Sequence, residues 1–173
     1  QQSRMGDRAF ELAWTHSQVT LRQINATESE AQLYGSLAGA LIYADPDRRA
    51  AAGLLRGNRR GQSGLWSYGI SGDAPIVLLH CTEPSRIGIV RQLIQAHAYW
   101  RMKGLVTELI IVNEDVAVYR QSLQDEVTGL IASGTEAQWL EKPGGIFVRR
   151  HEQIPPEDRG LLQAAARIVR LRR

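Results

Sequence analysis

The side chains of this chain best suited to chemistry lie in the glycine-rich stretch Arg59-Arg60-Gly61-Gln62-Ser63-Gly64-Leu65-Trp66. Arg60 and Gln62 offer planar hydrogen-bonding forks, and Trp66 offers a flat stacking face. Together they form a set that can hold sugar hydroxyls, and Asp73, farther along the same loop, adds a carboxylate. Arg and Trp are also common anchors of protein interfaces, and the interface reading is the favoured one. A second candidate position is Asn113-Glu114-Asp115, directly after an apolar run. If that run is a strand of an open α/β sheet, Asn113 and Glu114 stand at the carboxyl edge, where such sheets bind ligands. Asp73 could approach that edge and supply the second acid of a glycosidase-like pair, which needs a separation of roughly 5–10 Å. Asp115 reads instead as the cap of the helix that begins near Val116.

Other chemistries find no support in the spacing. The glycines at 64, 69 and 72 precede an apolar run, whereas a dinucleotide fingerprint follows a strand and opens a helix. No Walker pattern is present, and Ser63 lacks the strand that carries a nucleophile elbow. His80 and Cys81 are adjacent and point to opposite faces of a strand; His16, His97 and His151 have no second ligand at helical spacing. Cys81, the single cysteine, lies in an apolar run and reads as a buried, inert thiol in a reducing compartment. The residues therefore indicate no catalytic group, no metal site and no cofactor.

These positions need a scaffold, and apolar periodicity outlines one. Phe10, Ala13, Trp14, Ser17, Leu21 and Ile24 recur at helical spacing. Thr27 and Glu30 form a capping box that opens a helix with Leu33, Leu37 and Leu41 on one face. Gly35 and Gly39 on this helix would let a neighbouring backbone approach. Asp45-Pro46-Asp47 ends it, and a short helix is expected over 47–56. Residues 57–75 read as a polar loop without periodicity, a length that is usually functional or packs on something. From Ile76 onward, strand and helix alternate. Ile76–Leu79 and Leu109–Val112 are buried strands. Helices are expected from Pro84 through Trp100, from Val116 to near Gly134 along Val116, Tyr119, Leu123, Val127 and Leu130, and from Pro155-Pro156 along Leu161, Ala165 and Ile168. Ala137–Leu140 and Ile146–Val148 are further expected strands. The organisation is thus a helical portion over 1–56, a glycine-rich loop over 57–75, and an α/β unit over 76–173, together one compact domain. The fold class is α/β: a small three-layer unit with a mainly parallel sheet.

Composition agrees with a folded domain: 173 residues, 43% hydrophobic and 23% charged. No window approaches the roughly 18 uncharged apolar residues of a membrane helix, so no direct membrane insertion is expected. The chain opens on Gln1 with no signal-like run, which reads as a processed or excised piece. The net charge of +3 is local: residues 149–173 carry seven Arg against Glu152, Glu157 and Asp158. Without stacking aromatics beyond Phe147 at its edge, that tail reads as a solvated helix end and not as a nucleic-acid site.

Several strings resemble cyclic β-1,2-glucan synthase. They are Glu11–Val19, Ala31–Tyr34, Arg91–Trp100, Asn113–Asp115, Tyr119–Asp125, Pro143–Arg149, and above all Asn58-Arg-Arg-Gly-Gln-Ser-Gly-Leu-Trp-Ser-Tyr-Gly-Ile-Ser-Gly-Asp-Ala-Pro-Ile-Val77. The resemblance runs from about Ala9 to Val169. It implies a large bacterial inner-membrane enzyme that builds cyclic glucans from UDP-glucose on the cytoplasmic side. Its C-terminal region is similar to cellobiose-type phosphorylases, with β-sandwiches and an (α/α)6 barrel. On this resemblance the present segment connects sandwich-type domains ahead of the barrel. The family's catalytic acid and glycosyltransferase motifs fall outside these residues, so no catalytic role carries over. The partners implied are the neighbouring domains of the parent enzyme, with β-1,2-glucan as a second candidate and no nucleic acid. Three readings follow: a non-catalytic connecting domain; a glucan-binding module using Arg60, Gln62, Trp66 and Asp73; and a small α/β enzyme acting at Asn113–Asp115.

Overall fold

A computed structural model describes residues 18–19, 21–43, 49–50, 53, 61–115, 120–166 and 168–170. In chain order these form helix α1 (Glu28–Tyr43), a single helical turn Ser63–Trp66, strand β1 (Ile76–Cys81), helix α2 (Ile87–Met102), strand β2 (Glu108–Asn113), helix α3 (Arg120–Ala132), strand β3 (Ile146–Arg150), helix α4 (Pro156–Ala165) and strand β4 (Ile168–Arg170). The sheet has the order β3-β2-β1-β4, and every pair is parallel. Three-layer α/β architecture is therefore present as expected.

All six residues of β1 and all six of β2 are buried. Alternation divides their side chains between two cores. Val77, Leu79, Cys81, Leu109, Ile111, Ile146 and Val148 meet Val90, Ile94 and Trp100 of α2, Leu123, Val127 and Ile131 of α3, and Tyr34 and Leu41 of α1. On the opposite face, Ile76, Leu78, Ile110, Val112 and Phe147 meet Leu161 and Leu162 of α4, with Leu65 and Ile70 of the glycine-rich loop. Each such side chain contributes roughly 2 kcal/mol of burial free energy. The two crossovers from β1 to β3 thus lie on one face. Helix α4 returns on the other and delivers β4 to the far side of β1.

Local signals act as their chemistry dictates. Glu30 N–H donates to Thr27 Oγ1 at 3.2 Å, and Thr27 N–H donates to Glu30 Oε1 at 3.3 Å, closing the capping box of α1. Helix α1 is keyed to α2 by Trp100 Nε1–H, which donates to Tyr34 O at 2.8 Å, and by Gln95, bonded to the Tyr34 hydroxyl. Pro84 opens a 3-10 turn that leads into α2, and Gly104 ends that helix at a φ of +83°.

Several expectations are corrected. Ala137–Leu140 is not a strand: Ala137–Trp139 forms a 3-10 turn, and only Leu140 bridges to Ile146. The turn before β3 is too tight for a second strand, with Gly145 N–H donating to Lys142 O at 2.9 Å. Ile168 does not extend α4; that helix ends at Ala165, and β-branched Ile168 and Val169 pair with Val77 and Leu78 instead. Among the described residues, nothing lies within 4 Å of a side chain placed at Gly35 or Gly39, so none of them makes a close approach there. The 57–75 segment is not a bare loop, since it contains the turn Ser63–Trp66 and buries Leu65 and Ile70. Of the first expected helix, 18–19 and 21–23 are helical, with Leu21 and Ile24 buried. Its earlier part, Val116 and Tyr119, and nearly all of 47–56 lie outside the described residues.

A pair of glycine substitutions tests this packing. A Cβ at Gly145 would stand 1.9 Å from Trp139 O, whereas one at Gly129, on α3, meets nothing within 4 Å. Gly145→Ala is expected to cost about 3 kcal/mol or more in urea unfolding. Gly129→Ala is expected to gain about 0.5–1 kcal/mol through helix propensity.

Candidate functional site

The glycine-rich loop brings three of its four expected residues together. Gln62 Nε2–H donates to Ser71 O at 2.9 Å and to Asp73 Oδ1 at 2.8 Å. Trp66 Nε1–H donates to the same Ser71 carbonyl at 3.2 Å, while its ring remains 63% exposed. Gly72 makes this possible: its φ is +74°, and a Cβ there would stand 2.7 Å from Gln62 Cγ. Gly61, Ser63, Gly64 and Ser67 line a cleft of about 370 Å3 on the adjoining turn. Arg60 lies outside the described residues.

Two tethers fix this loop to the sheet. Arg149 Nη2–H donates to Tyr68 O at 2.6 Å, and the same guanidinium pairs with Glu141 at 2.7 Å. The second tether is Glu108, the first residue of β2 and 0% exposed. Its carboxylate accepts from Ser71 N–H at 3.2 Å, the Ser71 hydroxyl at 2.8 Å, Gly72 N–H at 3.3 Å and Gly144 N–H at 3.3 Å. Four converging donors supply what burial takes from a carboxylate.

At the opposite end of the strands, Asn113 and Glu114 diverge. Asn113 Oδ1 accepts from Asp115 N–H at 3.0 Å, and its amide faces Gln124 at 3.4 Å on the α3 side. Glu114 turns to the α4 side, where Oε1 lies 2.5 Å from His80 Nδ1 and 3.4 Å from His151 Nδ1. Asp73 precedes β1, whereas Glu114 follows β2. Six-residue strands hold them roughly 20 Å apart, so the acid pair contemplated from sequence does not form. The expected helix start beside Asp115 lies outside the described residues.

His80 and Cys81 face opposite sides, as alternation requires. Cys81 sits in the core with α2 and α3, and burial pushes its thiol up from the ordinary value. Among the described residues, no group of three or more His, Cys, Asp or Glu is arranged to hold a metal ion.

Sequence reasoning missed a third cluster. His97 and Glu136 are each 1% exposed and hydrogen-bonded to one another. Arg101 joins them, donating from Nη2 to Glu136 Oε1 at 2.6 Å and stacking over Trp139 at 5.6 Å. Burial alone would raise the Glu136 carboxyl. The hydrogen bonds and charges of His97 and Arg101 outweigh it and hold that carboxyl below its ordinary value. A depressed folded-state value means the ionised form stabilises the fold above about pH 4.5, the ordinary value, and that this stabilisation is lost as pH falls through the folded value. Glu136→Gln is expected to cost about 3–5 kcal/mol near neutrality, by stranding buried charge, and to flatten the acid limb of stability against pH. Urea midpoints measured from pH 7 to pH 3 check both effects.

No family profile matches the chain. It is 34% identical over 158 residues to cyclic beta-(1,2)-glucan synthase NdvB of Rhizobium meliloti (strain 1021), an alignment that covers 91% of this chain. The chain spans only 6% of the length of that relative. Among the described residues, no helix is long and apolar enough to cross a membrane. By sequence, then, the chain corresponds to one segment of a cyclic β-(1,2)-glucan synthase.

Proposed function

We propose that this chain is a non-catalytic α/β connecting segment of a cyclic β-1,2-glucan synthase, holding neighbouring carbohydrate-active domains in register. The supporting observation is the alignment, which takes in 91% of the chain yet only 6% of a far longer synthase. The tethered glycine-rich loop fits such a role. Ser71, Gly72, Gln62 and Asp73 are bonded to one another and to buried Glu108, as a stiff contact surface requires. The parent enzyme acts at the cytoplasmic side of the bacterial inner membrane in this reading, and its activity resides in domains beyond these residues. The isolated chain is expected to show neither glucosyl transfer from UDP-glucose nor phosphorolysis of β-1,2-glucan. Measurable turnover in either assay would overturn the proposal.

One observation favours a second reading, a β-glucan-binding module. The Trp66 ring is 63% exposed, and its N–H is pinned to Ser71 O, which fixes a stacking face beside Gln62 and Asp73. Asn113 and Glu114, which turn to opposite faces at the carboxyl edge, lie apart from that platform. Titration with β-1,2-glucooligosaccharides at millimolar concentration separates the readings. Heat that disappears in Trp66→Ala supports binding by the loop, and silence leaves the connecting role.

A further inference from the structure

Among the described residues, the ring of His97 meets acceptors only. Nδ1 faces a carboxylate oxygen of Glu136; Nε2 faces Thr107 O at 3.1 Å and Gly144 O at 2.9 Å. A neutral imidazole has one N–H, so it would leave one nitrogen lone pair pointing at an oxygen lone pair in a buried site. Flipping the ring gives no escape, because it would put carbon atoms at both hydrogen-bonding positions. Nor does Glu136 supply the proton, since the hydrogen bonds and charge of Arg101 beside it help hold its carboxyl below the ordinary value and so favour the ionised form. Both ring nitrogens must therefore donate.

The charges around this ring are nearly balanced. Arg101 comes from α2 itself, and Glu136 from the turn after α3. Glu108 of β2 lies one peptide away, through Gly144. Glu141 and Lys142, in the turn before β3, are exposed, and Glu141 is engaged with Arg149.

Gly144 connects this ring to the glycine-rich loop. Its carbonyl accepts from His97, and its N–H donates to Glu108 Oε2. Glu108 in turn holds Ser71 and Gly72, and the Ser71 carbonyl holds Gln62 and Trp66. We infer that His97 is a buried imidazolium whose second proton fixes the glycine-rich loop through Gly144, Glu108 and Ser71, making the placement of Trp66 proton-dependent. Removing that proton sets a lone pair against an acceptor. Gly144 must then shift, and Glu108 loses one of the four donors that fix its carboxylate beneath the loop. The device stands whether that loop docks a neighbouring domain or a glucan.

Imidazole 15N NMR on the full chain tests the charge state directly. At pH 7 both His97 nitrogens are expected to resonate as protonated; an unprotonated signal from either would overturn the assignment. As pH is raised, the Trp66 indole N–H and Gly72 amide signals are expected to move in the same titration as the His97 ring. Loop signals that ignore it would overturn the coupling. Glu108→Gln is expected to leave the His97 signals in place while the loop stops following them, and continued following would likewise count against the relay. His97→Gln is expected to speed exchange of the Gly72 amide by about tenfold, the loss of roughly one hydrogen bond. An unchanged exchange rate would contradict the tether, and if that variant does not fold, the titration of the unmodified chain decides.

Discussion

Two adjacent strands buried along their whole length leave polar side chains nowhere to go but the strand ends. β1 and β2 each bury all six residues, with a helix layer on both faces, so a polar group between them would face only hydrocarbon. The rest of the structure follows from that exclusion. Glu108 begins β2 and can be buried because the loop 71–72 and the turn at Gly144 supply N–H and O–H donors just beyond the strand. His80 and Asn113 stand at the other end, each with a partner from the next connection. Chemistry at one end is thereby insulated from chemistry at the other.

The two ends differ in character. The amino end is closed: its buried carboxylates, Glu108 and Glu136, are multiply bonded and hold elements together. The carboxyl end is looser, with Glu114 between two imidazoles that belong to β1 and to the turn after β3. In doubly wound sheets the carboxyl end usually carries the ligand. Here the exposed aromatic and the cleft belong instead to the loop moored at the amino end. That inversion suits a segment whose loop meets other parts of a larger enzyme.

Much of the scaffold was legible in the residues. Ile76–Leu79 and Leu109–Val112 are continuous apolar runs too short for helices, and the Thr27–Glu30 pair is a local signal with a local partner. The errors came where a short pattern fits two structures. Ile168 continues the spacing of Leu161 and Ala165, yet the chain gains more by pairing it with Val77. Ala137–Leu140 has strand-like composition but sits against a glycine turn that admits only a 3-10 turn. The site was legible only as residue types. Gln62, Trp66 and Asp73 were identifiable as a sugar- or interface-like set, but nothing local announces Glu108, which lies 36 or 37 residues from the donors it collects. His97 and Glu136 are 39 residues apart and meet only because α2 and the turn after α3 share one face of the sheet.

The mooring of the glycine-rich loop at two points has a mechanical meaning. Arg149 grips Tyr68 O, and Glu108 grips Ser71 and Gly72, so only Gly69 and Ile70 lie between the clamps. Ile70 is itself buried, and Gly69, at a φ of +76°, is held by its N–H, which donates to Trp66 O at 3.0 Å. A two-residue span held in this way between two clamps cannot flap like a lid; it behaves as a stiff bracket. Force applied at Trp66 is therefore passed directly to β2 and β3, the strands at the centre and one edge of the sheet.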